Sequence, residues 1–171
     1  MRQANDAVAR DIGNANGVAG LVALAAGVTP DAVIIDRDHQ RVTAASAILP
    51  GADLATYGAL EQRASNSVEG WDVAIVPPIA PLPVISFADN IDTLDAPARD
   101  AVLLSAWAAR RWNSPQLSVP GFQSEMPEKP VLAQRRALAI ANLLKQRGII
   151  AIAAPPAGQN FRLAVANRVG R

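Results

Sequence analysis

The chain of 171 residues contains no cysteine, a single histidine (His39), and only 4% aromatic residues. Each scarcity excludes something. Without Cys there is no disulfide framework, no zinc finger and no thiol nucleophile. One His leaves little room for His-based acid–base chemistry, because a hydrolytic triad needs a His beside a Ser and a carboxylate. With so few aromatic rings the core is built from small aliphatic side chains. There is no apolar run near the ~20 residues needed to span a bilayer, and no apolar segment follows Met1-Arg2-Gln3-Ala4-Asn5-Asp6, so the start does not read as a signal peptide. An excess of one charge is also missing: 16 basic against 15 acidic side chains gives +1, which argues against broad polyanion binding and against a nucleic-acid partner. Half the residues are apolar and 18% are charged, enough to bury a core. The composition describes a soluble globular chain and points away from an enzyme.

The near-neutral total hides an asymmetry. Residues 1–80 carry 5 basic and 9 acidic side chains, a net −4, whereas residues 81–171 carry 11 and 6, a net +5. The sign changes at Pro77-Pro78-Ile79-Ala80-Pro81-Leu82-Pro83, with four prolines in seven residues. Proline fixes φ and removes a backbone donor, so this stretch is neither helix nor central strand and reads as a stiff, extended joint. The expected organisation is therefore a module over 1–76, a joint over 77–83 and a domain over 84–171.

Periodicity supplies the elements. In the first module a polar helix is expected over 3–12, broken by Gly13-Asn14-Ala15-Asn16-Gly17, then a short helix over 18–26 ended by Gly27. The β-branched run Val33-Ile34-Ile35 and the period-2 stretch Arg41–Leu49 flank a polar turn, Arg37-Asp38-His39-Gln40, and read as a hairpin. Asp53 is placed to cap a helix over 54–65, and Trp71-Asp72-Val73-Ala74-Ile75-Val76 reads as a strand. The order is αββαβ. The second half predicts strand 83–87, helix 94–112 with Pro97 in its first turn, strand 117–119, helix 131–147 ended by Gly148, and strands 149–152 and 161–165. The order is βαβαββ, and the fold class is α+β in two small modules.

Several residues have the right chemistry in an unpromising setting. His39 lies on a hairpin turn between charges and reads as solvated. Asp36 and Asp38 could face one cation, but their spacing fits no calcium loop. Asp89, Asp92 and Asp95 crowd a helix start, where carboxylates suit the helix dipole. Arg110-Arg111-Trp112 closes an amphipathic helix and reads as core or rim rather than a base-stacking platform. No metal or other cofactor is expected.

One stretch carries a resemblance. Leu132-Ala133-Gln134-Arg135-Arg136-Ala137 through Leu144-Lys145-Gln146-Arg147-Gly148-Ile149 is similar to the second helix of OmpA-like domains, whose pattern is Leu-Ser-x-x-Arg-Ala, an apolar stripe, then Leu-x-x-x-Gly-Ile. Val84-Ile85-Ser86-Phe87, Leu117-Ser118-Val119-Pro120-Gly121-Phe122 and Arg162-Leu163-Ala164-Val165 resemble strands of the same family in the same order, so that residues 82–169 are covered. The αββαβ order of the first module resembles a BON-type module, on topology alone. Ring-building modules of secretion machines share a similar small design.

The OmpA-like resemblance implies a non-catalytic envelope protein that grips the diaminopimelate of peptidoglycan stem peptides. Such a ligand offers an ammonium and carboxylates, so the site pairs an Arg, which forks onto a carboxylate, with an Asp, which takes the ammonium. Arg136 falls on the family's Arg. The family's Asp position falls on Ser124, which cannot pair with an ammonium, leaving Glu125 or Glu128 as the substitute acid. Two expectations follow. Either peptidoglycan binding survives through Arg136 with Glu125 or Glu128, or the fold persists as a scaffold for protein partners of an envelope or secretion assembly, with a degenerate site. A periplasmic or envelope location would require an export segment upstream of this chain.

Overall fold

The computed structural model describes residues 17–46, 53–79, 81–158 and 161–166. It is a mixed α+β protein. By contacts the chain separates into two compact units, one of residues 1–49 and 55–78 and one of residues 50–54 and 79–171.

The first unit begins with a helix over residues 17–26, here α1. A single 3-10 turn at Pro30–Ala32 leads into β1 (Val33–Asp36), which pairs antiparallel with β2 (Arg41–Ala45). The turn between them closes with Gln40 at φ 49. α2 (Leu54–Asn66) then carries the chain back so that β3 (Asp72–Val76) lies parallel to β2, the crossover that parallel pairing requires. Alternation along β2 and β3 buries Val42, Ala44, Val73 and Ile75, while α2 buries Tyr57, Leu60 and Ala64 and α1 buries Val22 and Ala26. α2 also satisfies the strand beside it: the Ile75 N–H of β3 donates to Glu61 Oε2 at 2.9 Å. The helix expected over 3–12 and the tail of the strand expected over 41–49 lie outside the described residues.

The second unit runs β4 (Val84–Ile85), α3 (Ala96–Arg111), β5 (Gln116–Pro120), α4 (Leu132–Gln146), β6 (Ile150–Ala154), β7 (Phe161–Arg162) and β8 (Ala164–Val165). β5, α4 and β6 form a crossover with β5 and β6 parallel. The closing strand works in two pieces on either side of Leu163. β7 pairs antiparallel with β4, and β8 pairs antiparallel with β5. Its side chains still alternate, with Phe161 and Leu163 buried and Arg162 and Ala164 exposed. Two expectations therefore need adjustment. The strand expected over 83–87 is paired only at Val84–Ile85, with Pro81 and Pro83 before it. The single strand expected over 161–165 changes partner midway.

Helices and strands share one core, built from Ile85, Val102, Leu117, Val119, Ile140, Leu144, Ile149, Phe161 and Leu163, with Leu103, Trp107 and Trp112 packed around it. α3 starts where Asp95 Oδ1 accepts the Ala98 N–H at 2.9 Å, with Pro97 in the first turn. α4 lacks a side-chain acceptor at its cap, Val131. Instead, Gln134 Oε1 reaches back to accept the Val131 N–H at 3.0 Å, half of a capping box. No described helix is long and apolar enough to cross a membrane.

Candidate functional site

The residue that motivated the site, Arg136, is buried on α4 at 9% exposure. Helical periodicity places it on the same flank as Ile140 and Leu143, facing the segment between β4 and α3. That segment turns tightly: the Ile91 N–H donates to Ala88 O at 3.2 Å, and Asn90 at φ 57 occupies the left-handed region, which Asn tolerates better than most residues. The turn leaves its carbonyls aimed at α4. Arg136 fills both, with Nε donating to Ile91 O at 2.7 Å and Nη2 to Ala88 O at 2.8 Å. Its guanidinium carbon lies 5.1 Å from the centre of the Phe87 ring, and Phe87 in turn meets Phe161 edge-on at 5.4 Å. A charged fork, a turn and an aromatic pair thus link α4 to β7.

Arg135 holds the same turn from outside. Its Nε lies 2.7 Å from Asp92 Oδ2, and its Nη1 donates to Pro130 O at 3.0 Å. The Arg135 hydrogen bond, more than any other influence, keeps the Asp92 carboxyl below its ordinary value, with a smaller contribution from the charge on Arg136. The two consecutive arginines therefore have separate tasks. One satisfies backbone carbonyls and the other an acid.

The remaining predicted site residues are not brought to Arg136. Ser124, Glu125 and Glu128 are exposed, and none makes a hydrogen bond or ion pair with it among the described residues. Ser124 instead lines a cavity of about 410 Å³, whose α4 wall is Leu138, Ala141, Asn142 and Lys145. At 100° per residue those positions lie on the opposite flank of the helix from Arg136. Of the two acids in the 88–92 turn, Asp92 feels the charge of Arg136 but is already bonded to Arg135, and Asp89 makes no ion pair with Arg136. Arg136 retains one free nitrogen: Nη1 makes no hydrogen bond to the described residues, and it is not sealed from solvent.

Sequence reasoning missed Phe87, Asp92 and Arg135 as members of this cluster. Tandem arginines four residues after an N-cap gave one signal, since adjacent helical positions point about 100° apart and cannot share a partner. Elsewhere, His39 is exposed on its turn, with Nδ1 2.8 Å from Asp36 Oδ2, and that contact is the main cause of the lowered Asp36 carboxyl. Among the described residues no group of three or more His, Asp or Glu could hold a metal.

No protein-family model, no curated protein and no solved structure matches this chain.

Proposed function

We propose that the second unit is a non-catalytic, OmpA-like interaction module of a cell-envelope assembly, in which the peptidoglycan site has been turned to structural use. One observation carries this reading. The Arg136 fork is occupied by the carbonyls of Ala88 and Ile91, and among the described residues no acid pairs with it. A stem-peptide site needs an Arg and an acid that are both available. Here the Arg is a strut between α4 and the 88–92 turn, and the residue at the family's Asp position, Ser124, faces the other flank of the helix. The non-catalytic part rests on the absence of Cys and on the exposure of the lone His39. The first unit, with its αββαβ order, is a BON-like companion module in the same reading.

The free Nη1 of Arg136 favours one second reading, a weak tether in which that nitrogen meets a ligand carboxylate beside Asp92. Co-sedimentation of the full chain with purified peptidoglycan separates the two. The scaffold reading expects no pelleting, or pelleting that moderate salt removes and that Arg136→Gln leaves unchanged. Salt-resistant pelleting that Arg136→Gln abolishes, with the circular dichroism of the variant unaltered, would establish the tether and overturn the scaffold.

A further inference from the structure

Sheet edges are hazards that folded proteins usually blunt. In this protein most of them are blunted. The Ile75 N–H of β3 is taken by Glu61, and β4 is two residues long and preceded by prolines. β1 ends in Asp36. β6 has no such device. It is the terminal strand of its sheet, five residues long, and reads Ile-Ala-Ile-Ala-Ala, with no charge, proline or glycine.

The register shows which groups it leaves open. The Ile150 N–H donates to Pro115 O at 2.8 Å, and Ala154 O accepts from the Gly121 N–H at 2.9 Å. Residues 150, 152 and 154 therefore turn their backbone groups toward β5. Those of Ala151 and Ala153 turn outward, and no described residue takes them. Ile150 is 55% exposed on this edge.

Beside the edge lies the cavity of about 410 Å³ between residues 149–151 and the outer flank of α4. Its walls are largely apolar, with Phe122, Met126, Leu138 and Ile149 among them. Lys145 is the only charged residue in the lining. Lys145 is exposed, and its ammonium makes no hydrogen bond or ion pair among the described residues. It stands one turn before the start of β6, at one end of the groove.

We propose that this groove docks an extended acidic segment of a partner protein, which adds as a strand to Ala151 and Ala153 and sets a carboxylate against Lys145. Each part of the site asks for one feature of the occupant. Outward N–H and C=O groups at alternate residues are matched by another main chain in the β conformation. Alternation sends every second side chain of that strand into the cavity, where the walls suit apolar groups. The unpaired ammonium calls for a carboxylate at the end of the segment nearest Ile150, and the net +5 of residues 81–171 favours an acidic partner over another copy of this half. The inference rests on the scaffold reading and names the chemistry of its partner.

The test is to pan a library of random linear octapeptides against the full chain, in parallel with Lys145→Glu. The expected result is a consensus of alternating apolar residues with an acid at one end, which Lys145→Glu replaces with a basic residue. The best synthetic peptide should bind the native chain about tenfold more tightly than the Lys145→Glu variant. It should lose binding when alternate backbone nitrogens are N-methylated on one edge only. No consensus, a consensus indifferent to Lys145→Glu, or binding insensitive to methylation on either edge would overturn the proposal. So would a dimer of the native chain that excludes the peptide, because a second copy would then own the edge. Failed panning together with negative pelleting overturns the groove and leaves the scaffold reading in place, whereas Arg136-dependent pelleting overturns the scaffold itself.

Discussion

Arg136 brings a positive charge to a position with 9% exposure, and the fold must answer for it. It does so with two carbonyl oxygens and an aromatic face rather than with a carboxylate. Hydrogen bonds from a charged donor contribute about 1.5–3 kcal/mol each, and losing the donor also leaves two carbonyls with less solvation than they need. Arg136→Ala should therefore cost about 3 kcal/mol in urea unfolding, the sum of two bonds at the weak end of that range. Arg136→Lys should recover only part of the loss, since an ammonium lacks the planar fork that spans both carbonyls. A cost below about 0.5 kcal/mol, the level of an ordinary surface change, would mean that the strut holds nothing. The neighbouring pair behaves differently because it is exposed. The Asp92 carboxyl is held below its ordinary value of 3.8, chiefly by the Arg135 hydrogen bond. A lowered folded-state value means that the stabilisation is present above the unfolded value and disappears as the pH falls through the folded one. The stability difference between the native chain and Asp92→Asn should thus be constant around neutrality and shrink toward zero as the pH drops well below 3.8. A difference that persists at the acid end would assign it to something other than this ion pair.

At the scale of elements, local pattern was the reliable guide and partner choice was not. The stripe of Ala137, Ile140, Ala141 and Leu144 marked the buried face of α4, because helical spacing alone sets which side chains share a side. The break at Leu163 was invisible, since Phe161, Arg162, Leu163 and Ala164 alternate buried and exposed while the strand passes from β4 to β5. Alternation fixes which way a side chain faces and says nothing of which strand lies alongside. The Arg136 cluster was hidden for a related reason: its bonds reach 45 and 48 residues back along the chain, to carbonyls that have no side-chain signature. The resemblance set Ser124 at the family's Asp position, with Glu125 or Glu128 as the substitute acid, but Ser124 lines the cavity on the flank of α4 opposite Arg136. One local weakness is legible in both sequence and structure. Val131 occupies the cap of α4 with no acceptor of its own, is 62% exposed, and sits three residues before a Gln that already reaches back. Val131→Ser would complete the box at little cost in burial. It should stabilise the second unit by about 1 kcal/mol, read as a rise of about 4–8 °C in its melting temperature. No rise would mean that the free N–H groups of this end are satisfied by other means.

At the scale of the whole molecule, two compact units of different content share one chain. The second buries Ile85, Leu117, Ile140, Leu144, Ile149, Phe161 and Leu163 in one cluster, whereas the first relies more on Val and Ala around Ile75, Leu60 and Tyr57. A small domain buries a smaller fraction of its surface, and so has less to set against its conformational entropy. The first unit should accordingly be the weaker one. The three tryptophans allow this to be read directly, since Trp71 belongs to the first unit and Trp107 and Trp112 to the second. In a chain carrying Trp107→Phe and Trp112→Phe, fluorescence follows the first unit, and with Trp71→Phe it follows the second. Unfolding in urea should give an earlier midpoint in the former than in the latter, and the backbone circular dichroism of the native chain should span both. If the two signals and the dichroism coincide at one midpoint, the units unfold together. Their cores would then be coupled into a single cooperative structure, and the second unit could not be treated as a module that works alone.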